Sequence, residues 1–478
     1  MGVSTRVDAT APQMRKYQSD RAFLGHPRGL GYLAFSEGWE RFSYYGMTAL
    51  LALYSAQYLF KPGHIGNIWG FAAFRQSLEI LFGPLTPLGL GGAIAALYGG
   101  LVYLTPLLGG FVADRFIGRT LAVIFGAVTM AVGHFCMAFD QTYLVALGCI
   151  LIGSGFFKGN LAAQVGDLYA PGDLRRADAF QIYVLAIQIA VIVSPIVCGF
   201  LGQKVAWQFG FGTAGVGMLI GLGTYISGRR WLPPEPRRKP GHITESRPGL
   251  VSGEGKRIAV LVMLIPVIAC AYVGNQEMFA AYELWGDAHY QLVFFHWAMP
   301  ASFLISLDAI VSTVTLIGAV AFWRWWGVRH REPDEITKIT IGTFLASLAP
   351  LSLSLGAMHE VATGEKIGLG WALGFHILND VGFANIYPVG LALFSRVAPK
   401  AVNATMMAAY LLSLFLAGII VTKLATLLDK MPGAAFWGLH AAIIAGAGVV
   451  FLIARTVAGQ LLAPVVDPEA GNRLSAAT

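Results

Sequence analysis

The chain has little charge for its length, and this shortage decides its broad class. Of its 478 residues, 12% are Asp, Glu, Lys or Arg, while 56% are hydrophobic and the mean hydropathy is +0.63. A typical water-soluble domain carries roughly 25% charged residues. The composition therefore indicates that the lipid bilayer is the main solvent of the chain.

Cysteine is also scarce, and its positions do not suggest chemistry. The four cysteines form no CxxC spacing, no histidine cluster accompanies them, and each lies in an apolar run, which favours buried, reduced thiols. The sequence also lacks a nucleophile motif, a phosphate-binding loop and a cleavable signal peptide. We expect no enzyme activity, no catalytic residue, no metal and no organic cofactor. The cysteines are Cys136, Cys149, Cys198 and Cys270.

Long apolar runs dominate what is present. A helix needs about 20 mostly apolar residues to cross a bilayer, whereas a β-barrel would show strands of about ten residues with alternating polarity. The runs predict an all-α membrane protein with twelve transmembrane helices. They lie near 30–58, 90–112, 119–139, 143–166, 179–202, 207–228, 257–284, 298–325, 336–357, 367–393, 402–427 and 434–455.

The cations lie mainly on alternate loops, so the net charge of +7 indicates orientation and not nucleic-acid binding. Positive loops stay in the cytoplasm. With an even number of spans, both termini are then cytoplasmic, and we expect a multi-pass protein of the bacterial inner membrane. The inner cations are Arg115, Arg119, Arg175, Arg176, Arg237, Arg238, Lys239, Arg329, Arg331, Arg396 and Lys400.

A polar, proline-containing linker divides the spans into two sets of six. The connection 62–89 is predicted to be an extended periplasmic loop, in which 65–82 forms a surface helix. The resulting division is a cytoplasmic tail 1–29, a six-helix bundle 30–228, the linker 229–256, a second six-helix bundle 257–456 and a cytoplasmic tail 457–478.

Several spans carry ionisable residues, which are costly in lipid and therefore candidate functional groups. Glu37 and Lys158 reach about the same level, some 10 Å from the inner boundary at 1.5 Å per residue, so they could pair. Arg41, Asp308 and Asp380 reach roughly the midplane, where transporters hold their substrate. Cations in the first half and carboxylates in the second would suit a zwitterion; the alternative is a set of static ion pairs.

Three segments identify a family resemblance. Span 1 reads Glu37-Gly-Trp-Glu40-Arg41-Phe-Ser-Tyr44-Tyr45-Gly, span 2 runs from Tyr103 to Asp114-Arg115 and Arg119, and span 4 contains Gly-Phe-Phe-Lys158-Gly-Asn. These resemble the signatures of the proton-coupled oligopeptide transporter family of the major facilitator superfamily, and the resemblance covers nearly the whole chain.

The resemblance implies roles for the matching residues. The proton-coupling set would be Glu37, Glu40, Arg41, Lys158 and Glu277, and the substrate would contact Arg41, Tyr44, Tyr45, Tyr103, Lys158, Gln188, Asp308 and Asp380. Asp114, Arg115 and Arg119 would form a cytoplasmic gate. His134, His440 and Lys423 are interpreted as packing or helix-end residues.

The sequence departs from the family in the expected binding site. The span 10 glutamate that engages the peptide amine aligns with Phe383, and Asp380 one turn earlier is preferred over Asp308 as its replacement. The span 5 asparagine aligns with Gln188, the span 11 tryptophan with Tyr410, and Glu277 is shifted by one position from the family glutamate of span 7.

The sequence therefore predicts a proton-coupled symporter that imports di- or tripeptides or peptide-like solutes by alternating access. The alternatives are a proton symporter of another anionic or zwitterionic solute, such as an amino-acid derivative, a drug-like compound or nitrate, and a nontransporting membrane sensor. The expected partners are the substrate, the coupling proton and membrane lipid, with no nucleic acid, and we expect a monomer.

Overall fold

The computed structural model describes residues 20–170, 173, 175–233, 254–399 and 401–462. Long helices account for most of this part of the chain. Most of the two predicted tails, most of the predicted linker, including Arg237, Arg238 and Lys239, and Lys400 lie outside the described residues.

Fifteen α-helices are found in the described ranges. Their bounds are α1 Arg28–Tyr54, α2 Phe71–Phe82, α3 Pro87–Val112, α4 Arg119–Cys136, α5 Tyr143–Asp167, α6 Arg175–Phe200, α7 Trp207–Gly228, α8 Glu254–Ala271, α9 Val273–Gln276, α10 Ala281–His289, α11 Phe303–Arg329, α12 Glu335–Thr363, α13 Leu369–Val397, α14 Asn403–Ala425 and α15 Gly433–Leu462.

Every predicted span corresponds to one of these helices or to a broken series of them. Among the described residues, ten helices are long and apolar enough to cross a membrane, and the bent pair Glu254–Ala271 and Val273–Phe279 raises this to as many as eleven. Helix α1 is not among them because it carries Glu37, Glu40, Arg41 and several tyrosines. The prediction of an all-helical, multi-pass membrane protein is confirmed.

The seventh predicted span is not the continuous helix that its apolar run 257–284 indicated. It bends by 51° after Ala271, continues through α9, and passes through a 3-10 turn, Glu277–Phe279, before α10. Ala280 then has φ −129° and ψ −108°, outside the helical region. The apolar run did not indicate this break, although three polar residues, Asn275, Gln276 and Glu277, lie at it.

The connections between helices also differ in detail from the predicted boundaries. The predicted 65–82 helix is a 3-10 turn, Ile65–Asn67, followed by α2, because Gly70 has φ +72° and ends any continuous helix there. The eighth span begins at Phe303, since residues up to Ala298 form a hairpin of strands β1 Val293–Phe294 and β2 Trp297–Ala298.

The described residues form two compact units, and each is considered alone. The first comprises the described part of Met1–Lys239 with Met278–Ile310 and Thr422–Lys430. Its interior is packed closely: a Cβ on Gly109 of α3 would lie 2.2 Å from the carbonyl oxygen of Gly155 in α5. Only glycine permits this approach of two backbones, which is how helices associate tightly in lipid.

Segments from late in the chain complete the first unit. Gln57 donates to Asp287 at 2.7 Å, and Ser306 donates to the Ile192 carbonyl at 2.7 Å. At the segment that follows α2, Lys423 donates to the Phe82 carbonyl at 2.9 Å. The first unit therefore uses residues from both halves of the sequence.

The second unit comprises the described part of Pro240–Glu277 with Val311–Val421 and Met431–Thr478. Helix α12 packs against α13 and α15, and α15 also packs against α8. Asn385 accepts a hydrogen bond from Trp323 Nε1 at 2.6 Å, and Arg396 forms a two-pronged ion pair with Glu335. These contacts position the polar residues of α13 and α15.

Candidate functional site

The charged residues of α1 form one buried cluster. Positions 37, 40 and 41 fall on the same helix face because their spacing is three and four residues. Arg41 Nε donates to Glu37 Oε1 at 2.7 Å and lies 3.0 Å from Glu40 Oε2. Glu37 and Glu40 are 2% and 0% exposed. One guanidinium therefore neutralises part of the charge of two buried carboxylates.

The two carboxylates are not equally satisfied. Among the described residues, neither oxygen of Glu40 has a hydrogen-bond donor, whereas Glu37 accepts the Arg41 bond. Tyr183 of α6 lies beside Glu37. Glu40 thus depends on its ion pair alone, which makes its buried negative charge the more costly of the two.

Lys158 of α5 lies in the same cluster but does not pair as the span depths allowed. Its Nζ is 3.9 Å from the centroid of the Tyr44 ring, and in the described part of the chain it has no carboxylate within ion-pair distance. Arg41 also lies over this ring, at 5.9 Å. The suggested pair of Glu37 and Lys158 is replaced by the pair of Glu37 and Arg41.

Tyrosines surround the two cations. Tyr44 contacts Tyr45 at 5.1 Å between ring centroids and stacks on Tyr98 at 6.3 Å. Tyr103 is 37% exposed and lies near Tyr44 and Tyr45. The structure therefore brings together the three predicted tyrosines and adds Tyr98 and Tyr183. Sequence analysis missed these two because a tyrosine in a span has a neutral side chain and no distinctive spacing.

Asp308 also belongs to the first unit, although it comes from the second half of the sequence. It is partly exposed and lies close enough to Tyr45 to act on it electrostatically. Gln188 of α6 is likewise partly exposed. The first unit thus contains all of the predicted substrate residues except Asp380.

Helix α13 of the second unit carries Asp380 and the position of the lost family glutamate. Asp380 is 2% exposed and accepts a hydrogen bond from Asn379 at 3.2 Å. Phe383 stacks on Tyr387 with ring centroids 5.3 Å apart and contacts Tyr272. The Phe383 position is therefore part of an aromatic group and supplies no charge.

Glu277 pairs with a residue that the sequence analysis treated as packing. Glu277 Oε1 lies 2.7 Å from Nε2 of His440 in α15, and both side chains are fully buried. The interpretation of His440 as a packing residue is incomplete because its acidic partner is 163 residues away in the sequence. The only available signal was that a polar residue lies deep in a span.

The predicted gate residues meet at one end of the first unit. Arg119 donates to Asp167 at 2.8 Å and lies 3.7 Å from Asp114. Arg115 lies over the Phe111 ring at 6.0 Å. Asp167, the last residue of α5, is a partner that sequence analysis did not assign. The same region contains Arg176, whose Nη2 would meet a Cβ on Gly166 at 2.9 Å.

The chain is similar in sequence to known transporters. The model of the POT family matches residues 120–247. An uncharacterised transporter, YclF, of Bacillus subtilis is 29% identical over 91% of this chain and 95% of its own length. A di-/tripeptide transporter of Lactococcus lactis is 25% identical over 94% of this chain and 99% of its own length.

Solved structures share the fold. A crystal structure of a mutant of the peptide transporter POT in complex with alafosfalin superposes with a TM-score of 0.80, is 24% identical, and covers 94% of this chain and 99% of its own. The class is therefore a membrane transporter with the major facilitator fold. The family resemblance read from the α1, α3 and α5 motifs, to the proton-coupled oligopeptide transporters, is confirmed.

Proposed function

We propose that the chain is a proton-coupled symporter that imports small peptides or peptide-like solutes by alternating access. The observation that carries this proposal is the α1 cluster, in which Arg41 is shared by Glu37 and Glu40. In the described part of the chain, Lys158 lies over the Tyr44 ring and has no carboxylate within ion-pair distance. The named activities of the similar transporters support the peptide class.

The cluster offers a direct link between a proton and a substrate anion. Two carboxylates and two cations balance when all four are ionised. A proton on Glu40 removes the negative charge that has no hydrogen-bond donor, and the cluster is left with one excess positive charge. A buried excess charge is costly, so the carboxylate of a solute would bind more favourably beside Lys158 and Arg41.

The opposite end of a peptide needs an acid for its ammonium group. The sequence favoured Asp380, but the surroundings of Asp308 fit this role better. Asp308 is partly exposed, lies near Tyr45, and shares a unit with Arg41 and Lys158, whereas Asp380 is almost fully buried. We therefore assign the amine to Asp308, with Asp380 as the alternative and with Gln188 and Tyr103 as further contacts.

The cellular arrangement forms part of the proposal. We place the protein in the bacterial inner membrane as a monomer with both termini in the cytoplasm, with two six-helix bundles joined by residues 229–256. The cluster of Asp114, Arg119 and Asp167, with Arg115 beside it, then lies at the cytoplasmic end and would act as a gate.

Uptake into proteoliposomes tests the function. A labelled dipeptide should accumulate when the outside is made acidic, and a protonophore should abolish the accumulation. Unlabelled di- and tripeptides should compete, whereas nitrate and single amino acids should not. Accumulation that is unchanged by the protonophore would contradict proton coupling. Competition by nitrate alone would favour the alternative, a symporter of another anionic solute.

A further inference from the structure

A groove opens on the surface of the second unit between α11, α12 and α13. Its volume is about 660 Å³, and its lining is almost wholly apolar or aromatic. Val314 and Phe322, which line it, are 65% and 45% exposed, and a Cβ on Gly318 would meet no atom within 4 Å. All three helices are long and apolar enough to cross a membrane, so the groove faces lipid.

Two tryptophans of α11 line this groove, and their indole N–H groups are not equally satisfied. Trp323 Nε1 donates to Asn385 at 2.6 Å. Trp326 Nε1 is shielded from solvent, and no acceptor for it is found in the described part of the chain. An indole can only donate, and a buried donor without an acceptor is costly. The acceptor that Trp326 needs is therefore expected from a molecule that occupies the groove.

Positive charge lies at the same end of the groove. Lys338 Nζ is 4.7 Å from the centroid of the Trp323 ring, and Lys338 also pairs with Glu332. Residues 324–338 contain four Lys or Arg side chains against three Asp or Glu side chains, and one of these acids, Glu335, is neutralised by an arginine of α13. This end therefore carries an excess of positive charge, which suits an anionic occupant.

We propose that the groove binds one anionic phospholipid of the membrane, with an acyl chain along the apolar lining and the headgroup beside Trp326 and Lys338. An oxygen of the phosphate or of an acyl ester accepts the Trp326 N–H, and the cations select a negative headgroup. The proposed orientation places this end of α11 at the cytoplasmic leaflet. Basic pockets between helices bind anionic headgroups on that side of a membrane.

The bound lipid has a structural consequence for α11. Residues 303–310 of this helix, which include Asp308, belong to the first unit, and its remaining residues belong to the second. The lipid contacts the end of the helix that is farthest from Asp308. It therefore restrains a helix that also supplies a predicted substrate residue.

Two substitutions test the two parts of the site. Trp326→Phe keeps an aromatic ring and removes the N–H; its matched control is Trp325→Phe, because Trp325 is the preceding residue, is 49% exposed and lies outside the groove lining. Gly318→Leu places a side chain in the groove. Its matched control is Gly446→Leu in α15, where a Cβ would likewise meet no atom within 4 Å.

Native mass spectrometry of the purified protein measures binding directly. The protein in detergent is titrated with phosphatidylglycerol or with phosphatidylcholine of the same acyl chains, and the retained lipids are counted. Wild type should retain a single phosphatidylglycerol and should prefer it to phosphatidylcholine. Trp326→Phe should weaken this binding about tenfold, as expected for one hydrogen bond to a charged group. Gly318→Leu should abolish it, and both controls should bind like wild type.

Each other outcome overturns the proposal. Equal retention of the two lipids excludes selection by charge, and unchanged binding in Trp326→Phe and Gly318→Leu places the lipid elsewhere. A dimer in place of bound lipid, lost in Gly318→Leu, would show that a second copy of the chain covers the groove.

If a variant does not fold, the wild type still decides. Phosphatidylglycerol with a photoreactive acyl chain should label residues 314–326, and labelling that leaves them unmodified overturns the site. Neither experiment measures transport. Failure of the proposed symport function and failure of the lipid site are therefore distinguishable.

Discussion

The unequal environments of Glu37 and Glu40 predict unequal effects of the same substitution. Their oxygens lie 2.7 Å and 3.0 Å from Arg41 Nε. With an effective dielectric constant of about 20, the attraction of each carboxylate to Arg41 is about 6 kcal/mol before desolvation. Replacing either glutamate by glutamine therefore removes nearly the same Coulomb energy. The difference then comes from the hydrogen bond, which Glu37 accepts and Glu40 does not.

A hydrogen bond to a charged group contributes about 1.5 to 3 kcal/mol, part of which a glutamine oxygen retains. We expect Glu37→Gln to lower the free energy of unfolding by about 1 to 2 kcal/mol more than Glu40→Gln does. Glu40→Gln should therefore be the more stable of the two single variants, although each of them leaves one excess positive charge in the cluster. The double variant leaves Arg41 unpaired and should lose about 3 to 5 kcal/mol.

Denaturation of the purified protein in detergent measures this order, and proteoliposome uptake measures the function of the same samples. Both single variants should lose gradient-driven accumulation, because each removes a carboxylate of the coupling cluster, and both should retain counterflow. A Glu40→Gln protein that is less stable than Glu37→Gln would refute the assignment of the hydrogen bond. Undiminished accumulation in Glu40→Gln would refute its role as a proton carrier.

Three further predictions concern other parts of the protein. Lys158→Ala should abolish driven uptake while the melting temperature changes little, since its cation–π contact with Tyr44 contributes about 0.5 to 2 kcal/mol; full accumulation would make Lys158 a structural residue. Wild type should bind a dipeptide better than its N-acetylated analogue, and Asp308→Asn should lose this preference while Asp380→Asn keeps it; the reverse result would restore Asp380 as the anchor. The backbone N–H of Leu85 and the side chain of Arg75 lower the pKa of Glu79, so this contact stabilises the loop above the ordinary glutamate pKa and is lost as the pH falls through the lowered value. The protection factor of the Leu85 amide should therefore fall as the pH is lowered through that value, and it should be low in Glu79→Gln at neutral pH.

Much of the fold could be predicted because lipid imposes a simple rule on the sequence. Apolar length alone placed the helices, and the α1, α3 and α5 motifs indicated the family. The break in span 7 could not be predicted, since the polar residues at 275–277 do not by themselves determine the local geometry of Glu277–Phe279 and Ala280.

The candidate site was predictable in its members but only partly in its contacts. Charges inside spans identified Glu37, Arg41 and Lys158, because each is costly in lipid. Their partners depend on side-chain direction, which depth along a helix does not determine. For this reason the suggested pair of Glu37 with Lys158 does not form, and Glu37 pairs with Arg41. His440 was assigned to packing for the same reason.

The composition of the first unit has a consequence for the order in which the protein assembles. The loop that follows α2 is held by Lys423, which donates to the Phe82 carbonyl, and by Lys430, which donates to the Pro84 carbonyl at 2.7 Å. During synthesis at roughly 5 to 20 residues per second, helices α1 to α7 enter the membrane long before these lysines exist. The contacts that complete the first unit therefore form only after nearly the whole chain has left the ribosome. Completion of this unit, which consists mainly of the amino-terminal half, is a late event in biogenesis.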